Sequence, residues 1–355
     1  MSACGAGGEA MSREGGSQPA DKEAAKAGPP LTDVFFQRLA KKVDFAAAQD
    51  QTVVSGEDGW LFFLPELRSL AAGPFWGAAA AGVSQATREE DADPLPAILD
   101  FRDQLEARGI QLVVMPVPAK ASLYPDLLFG DLEISTAAGL GPYGGAHAEF
   151  LGLLRSEGVS VVDLYPLFAA RRFDGGGQLY CRTDTHWSGR AARLAAEAVV
   201  ARALEEGWIS QGSRQYRTER RSVEVQGDLW RELPEPRPAA EQLELTFVGT
   251  GDDLEPVPTD RSSPVLLLGD SHTLVFHAGG DLFARGAGLV DHLAAQLQRP
   301  VDLVGVRGSG ATAARVNLLR RDNGLEGKKL VIWTFSARAF TESPGWQKVP
   351  FGEGS

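Results

Sequence analysis

Cysteine is almost missing from this chain, with Cys4 and Cys181 the only two in 355 residues. One lies in a polar tail and the other in a motif-bearing stretch, so no structural disulfide is expected and the fold has to rest on its core. Long apolar runs are missing too. No window reaches the roughly 18–20 apolar residues of a membrane helix, and the longest alanine-rich candidate, 77–83, is short. No apolar core of a signal peptide stands near the start. Basic charge is in deficit, 35 Lys and Arg against 47 Asp and Glu, for a formal net charge of −12. That balance argues against nucleic acid and against anionic lipid surfaces, and leaves room for a local basic groove on an anionic polysaccharide. No internal repeat is apparent.

What is present is ample for one large α/β domain or two smaller ones. Residues 1–30 are Gly, Ala, Ser, Glu, Lys and Pro with almost nothing large and apolar, and read as a disordered tail or tether. The domain is expected over 31–345. Leu31–Gln49 reads as a helix, Ser55–Leu64 as a turn and an apolar run, Pro94–Arg108 as an amphipathic helix, and Gln111–Val117 as a buried strand. A helix over Gly145–Arg155, with His147 exposed, precedes a strand at Val159–Leu164. Ser188 is placed to cap a helix over Gly189–Glu206. Residues 207–260, with scattered charge and a proline cluster, read as an irregular excursion. Helices around 287–298 and 311–321 alternate with strands at Val301–Val306 and Leu330–Phe335. Strand, crossover helix, strand is the pattern of a doubly wound, mostly parallel sheet with helices on both faces.

Two stretches carry chemistry. Val265–Leu268 runs straight into Gly269-Asp270-Ser271, a short apolar run ending where open α/β sheets place their ligand sites. By itself Gly-Asp-Ser also fits a polar turn. The second stretch is Asp184-Thr-His186-Trp187. In an extended segment residues two apart point the same way, so Asp184 could orient His186 and stabilise its imidazolium. A structural alternative is that the pair caps the following helix. Together with Ser271 they supply a nucleophile, a base and an orienter. Gly308 and Gly310 follow another apolar strand, where their N–H groups suit an oxyanion hole or a tight turn. Lys120, just past Val117, is placed either to contact an anionic substrate or a site carboxylate, or to sit in a solvated loop. His277 and His292 are expected on exposed surfaces and carry no argument.

These blocks resemble the SGNH-hydrolase-like domain of the alginate O-acetylation proteins, the AlgX/AlgJ group. The resemblance extends to Asp58-Gly-Trp-Leu-Phe-Phe63, Pro116-Val-Pro-Ala-Lys120 with Tyr124-Pro125, and Ile332-Trp-Thr-Phe-Ser-Ala-Arg338, and runs from about Val53 to Phe340. It implies the flavodoxin-like SGNH fold, catalysis by Ser271, His186 and Asp184, and a substrate-facing role for Arg338. It also implies a polysaccharide acceptor, a membrane-bound O-acyltransferase as acetyl supplier, and a periplasmic or envelope location. No cofactor and no metal is implied. Two positions depart from the pattern: His272 directly follows the serine, and Thr334 stands where an acidic residue is expected. They raise the alternative of a metal held by Asp184, His186, Asp270 and His272. Three functions stay open: acetyl transfer to a sugar hydroxyl, acetyl-ester hydrolysis by the same residues, and carbohydrate binding without catalysis.

Met1-Ser2-Ala3-Cys4-Gly5 is similar to the cleavage box of a bacterial lipoprotein signal, Leu-Ser-Ala-Cys-Gly, with Met for Leu. A lipid anchor at Cys4, with 1–30 as tether, is the expectation. It predicts that the upstream DNA encodes, in frame, a basic-then-apolar stretch of about 15–20 residues. A stop codon immediately before codon 1 would exclude the anchor.

Overall fold

The apolar runs read as strands line up side by side. The computed structural model describes residues 31–137, 141, 143–237, 239–308 and 310–352; Cys4 and the tail lie outside them. In chain order the strands are β1 (Val53–Ser55), β2 (Leu61–Phe63), β3 (Gln111–Val117), β4 (Ser160–Val161) and β5 (Arg217–Val225). They continue with β6 (Glu241–Thr250), β7 (Glu255–Pro256), β8 (Val265–Gly269), β9 (Asp302–Gly305) and β10 (Leu330–Ser336). Five form the central sheet in the order β4-β3-β10-β8-β9. Every pairing in it is parallel, and Trp333 of β10 lies level with Val114 of β3 and Leu268 of β8. The step from β3 to β4 leads to one edge and that from β8 to β9 to the other. Connections that diverge in this way open a crevice at the carboxyl ends of the strands.

The sheet is buried on both faces, and its strands show it by alternation. Val113, Met115, Val265, Leu267, Leu330 and Ile332 face one apolar layer, which the helices Gly189–Glu205 and Leu289–Leu297 help to close. Leu112, Val114, Leu266, Leu268, Val331 and Trp333 face the other, against the helices Pro94–Glu106, Gly145–Ser156 and Thr312–Leu319. Apolar residues at both parities are the mark of a strand covered on two sides. Ser188 caps its helix as expected, and Asp93 caps another. Ser188 Oγ accepts from Ala191 N at 3.3 Å, and Asp93 Oδ1 from Leu95 N at 2.9 Å.

Several expectations need correction. Residues 207–260 are not irregular: β5, β6 and β7 make a separate antiparallel sheet. Its alternation was hidden because Arg217–Ser222 is exposed at every position, so β5 has no apolar face to read. The strand expected to Leu164 stops at Val161, and Leu164 opens a helix whose N-terminal Tyr165 N–H donates to Asp163 Oδ1. The run Trp60–Leu64 divides. Trp60 stacks on Tyr124 at 4.3 Å, β2 pairs with β1, and Leu64 starts the helix Leu64–Ala71.

His147 and His292 are buried rather than exposed, and His277 is half-buried with Nδ1 3.0 Å from Asp291 Oδ1. His147 Nε2 lies 3.2 Å from Ser69 Oγ beside the rings of Phe75 and Phe340. Burial pushes the imidazoles of His147 and His292 down from 6.5 to about 4. Between those values the unfolded chain binds protons that the folded chain does not, so stability falls as the solution is acidified from about pH 6.5 towards 4. Each histidine should remove on the order of 2–3 kcal/mol by about pH 4.5. Denaturant unfolding at pH 7 and 4.5 should show a smaller difference for His147→Gln than for the parent chain; equal differences would contradict the assignment.

Candidate active site

β8 delivers the serine. Its last residue, Gly269, has no room for a side chain, because a Cβ there would overlap the Thr334 carbonyl oxygen of β10. The chain then turns through Asp270 into the short helical turn Ser271–Thr273. Asp270 builds that turn. Its Oδ1 accepts from His272 N (2.9 Å) and lies 3.0 Å from His272 Nδ1, and its Oδ2 accepts from Ser336 N (2.7 Å). Gly310 packs against the same turn, where a Cβ would come 2.9 Å from Asp270 N and 2.6 Å from Phe335 Cβ. Gly308 needs glycine for a different reason, its φ of +94°. Ser309 lies outside the described residues.

His186 comes from a tight loop, not from the extended segment expected. Ser188 N donates to Leu179 O and Cys181 N to His186 O, which closes residues 179–188 on themselves. Within that loop Asp184 Oδ1 accepts from His186 N (2.9 Å) and stands 2.6 Å from His186 Nδ1. An aspartate grasping the backbone N–H two residues on is an Asx turn, and here it also holds the ring. A carboxylate only accepts, so Nδ1 carries the proton and Nε2 presents a lone pair. His186 Nε2 lies 2.7 Å from Ser271 Oγ. The structure therefore brings Asp184, His186 and Ser271 into one hydrogen-bonded chain, all buried.

Electrostatics prepares the pair. Burial would raise the Asp184 carboxyl, but the His186 charge and the N–H donors of His186 and Asp228 hold it well below the usual carboxylate range. Burial opposes charge on His186, yet Asp184 outweighs it and leaves the imidazole above its ordinary 6.5. His272, the second histidine of the site, goes the other way. Burial lowers it, and the Asp270 carboxylate does not make up the difference.

The remaining expected residues fall as follows. Lys120 is buried beneath the triad and is neither a groove residue nor a solvated loop lysine. Its Nζ donates to Leu61 O (2.9 Å) and Asp184 O (2.6 Å), and its N–H to Glu66 Oε2 (3.1 Å). Arg338 is half-buried, 5.4 Å over the Phe63 ring, and donates to Ser336 Oγ at 3.2 Å. Thr334 is buried in β10 beside the serine turn and accepts from Asp270 N. Cys181 is buried in the 179–188 loop, and burial holds its thiol well above its usual range.

The four-residue metal set does not assemble. Both nitrogens of His186 are engaged, and His272 Nδ1 is taken by Asp270. Among the described residues the compact group of possible ligands is Asp184, His186 and Asp228.

Asp228 is the residue that sequence reasoning missed. Its N–H donates to Asp184 Oδ2 (2.7 Å), and its carboxylate accepts from Thr185 N (2.8 Å) and Thr185 Oγ1 (2.6 Å). Glu241, at the start of β6, likewise accepts from Arg182 N at 2.9 Å. Neither stands at a motif spacing from the loop it supports, so no local signal marks them.

A parallel, doubly wound sheet with a Ser–His–Asp chain at its carboxyl edge is the class of architecture shared by SGNH-hydrolase-like domains. Residues 53–337 match the family described as "SGNH hydrolase-like domain, acetyltransferase AlgX", and the chain belongs to it. It is 30% identical over 233 residues to the probable alginate O-acetylase AlgJ of Pseudomonas putida, covering 62% of this chain and 54% of that protein. Against AlgJ of Pseudomonas syringae it is 31% identical over 184 residues, 51% of this chain and 41% of that one. The chain thus spans about half the length of the curated relatives it matches. Among solved structures, the O-acetyltransferase domain of Pseudomonas putida AlgJ aligns with a TM-score of 0.61 at 25% identity, over 81% of this chain and 92% of that domain. AlgX of Pseudomonas aeruginosa aligns with a TM-score of 0.56 at 18% identity, over 80% and 62%, and bears on the fold alone.

A base raised by its carboxylate is protonated, and idle, up to a higher pH than free imidazole. The acid limb of kcat/KM for a small acetyl ester should therefore lie above pH 6.5. Asp184→Asn should lower kcat by on the order of 10³–10⁴-fold. A limb below pH 6 would contradict the pairing.

Proposed function

We propose that this domain transfers acetyl groups to hydroxyls of an exopolysaccharide through an acetyl-serine at Ser271. The observation that carries the reading is the unbroken chain Asp184–His186–Ser271, at 2.6 and 2.7 Å. His186 Nε2 takes the hydroxyl proton as Ser271 Oγ attacks the acetyl carbonyl, and returns it to the departing oxygen of the donor. Asp184 keeps the imidazole in the right tautomer and stabilises it while charged. The serine turn with Gly308 and Gly310 supplies backbone N–H groups for the oxyanion, each typically worth about 3–4 kcal/mol of barrier. In the second half His186 deprotonates a sugar hydroxyl, which attacks the acetyl-serine and releases Ser271.

The names of the AlgJ relatives point to alginate as the kind of acceptor. A triad does not make an activated acetyl group, so the reading includes a supplier, a membrane-bound O-acyltransferase, and an envelope location beside it. An anchor at Cys4 would serve the same end. Arg338, half-buried near the serine turn, is assigned to the substrate side.

Ser271→Ala and His186→Ala should each remove nearly all turnover of a small acetyl ester, with thermal unfolding moved by only a few degrees. Mass spectrometry of oligosaccharides incubated with an acetyl donor should find acetylated sugar in the parent chain only. Free acetate without acetylated sugar would make the protein an esterase. Oligosaccharide binding without any turnover would make it a binding protein.

A further inference from the structure

The catalytic loop is held from outside the central sheet. Gly227 meets it so closely that a Cβ would overlap Thr183 O and come 2.7 Å from Asp184 N, although Gly227 has an ordinary φ of −60°. The next residues lace the two segments together. Asp228 N donates to Asp184 Oδ2, Trp230 N to Thr183 O, and both donors of Thr185 end on the Asp228 carboxylate. This turn connects β5 to β6, so the antiparallel sheet is joined directly to the acidic member of the triad.

We propose that Asp228 is a positioning residue for the triad, in which one carboxylate fixes Thr185, and with it the Asp184–His186 geometry, while its negative charge keeps His186 a strong base. The inference rests on the serine-triad reading above. Two functions separate within the one side chain. Its backbone N–H, which any substitution retains, satisfies Asp184. Its carboxylate clamps Thr185 and adds a second anion near the imidazole. The other charged or titratable groups facing His186 are Asp184 from its own loop, Arg338 from the end of β10 and His272 from the serine turn. Lys120 and Glu66 act at one remove, on the Asp184 side. Asp228 itself is raised above its ordinary value, by burial first and then by Asp184. Its anion is therefore lost at a higher pH than that of a free carboxyl.

The test compares Asp228→Asn with Thr185→Val. Asp228→Asn removes the charge and keeps the shape and the N–H to Asp184. The NMR titration midpoint of the His186 ring should move to lower pH, and the acid limb of kcat with it. Loss in kcat should be roughly 10–100-fold, the scale of outer-shell partners around a ligand histidine, with KM little changed. Thr185→Val removes one clamp bond and leaves the charge, so it should slow turnover without moving the midpoint. If Asp228→Asn fails to fold, Asp228→Ser is read in the same way. An unmoved midpoint overturns the proposal, even if stability falls. Should the parent chain prove inactive, the function reading fails, but the His186 midpoint still decides this inference.

Discussion

Asp184 is an ionised carboxylate inside an apolar domain, and the architecture of the site follows from keeping it there. A buried charge without partners costs several kcal/mol, so such a group persists only where donors converge on it. Here they come from distant parts of the chain. His186 contributes two donors from the same loop and Asp228 one from the connection between β5 and β6, while Lys120, past the end of β3, grips the backbone carbonyl. Lys120 is in turn tied to Leu61 of β2 and, through its N–H, to Glu66 of the helix Leu64–Ala71. The short hairpin, the central sheet and the excursion thus meet around a single residue, Asp184, through its carboxylate and its backbone carbonyl. Losing the donors of His186 or Asp228 would leave part of that buried charge uncompensated, so the site and the fold are not independent here.

Two Asp-x-His units lie side by side, and the contrast between them shows what the motif does and does not determine. In each, the aspartate Oδ1 takes both the backbone N–H and the ring Nδ1 of the residue two further on. The ring centroids are 4.8 Å apart. Yet His186 aims Nε2 at Ser271 and is raised, while His272 packs edge-on to Trp187 at 5.6 Å and is lowered. Part of the difference is charge: Asp228 raises His186, whereas His186 lowers His272, and Arg338 lowers both. The local turn sets the ring's orientation. Burial and the surrounding charges decide in which direction each ring is shifted.

The same division explains what could be read before the structure. β8 and β10 were legible because burial on both faces makes them continuous apolar runs, and Ser271 because it ends one of them. Asp184 and His186 were legible because their contact is local, although the geometry proved to be an Asx turn in a closed loop. The excursion was not legible. β5 is charged and exposed almost throughout, so neither its period nor its pairing with β6 leaves a hydrophobic trace. Asp228 and Glu241 were missed for a related reason. They serve a loop more than 40 residues upstream or nearly 60, and a polar contact made only by folding has no signature along the chain. His147 failed in the opposite direction. A polar residue on an amphipathic helix was assigned outward, but Ser69 and two aromatic rings receive it inside.

How an acetyl-serine would divide between a sugar and water is a matter of access rather than of triad chemistry, since either nucleophile attacks the same carbonyl with the same base. Ser271 is only 8% exposed and His186 6%, so bulk water has a narrow approach. A hydroxyl held in a groove at that opening competes with an effective concentration that can reach about 10⁵ M or more when well oriented. Transfer then needs only that the acceptor be seated before water enters. The Gly227–Asp228 turn lies against the loop that carries Asp184. It joins that loop to an antiparallel sheet whose edge strand β5 is charged and exposed over Arg217–Ser222.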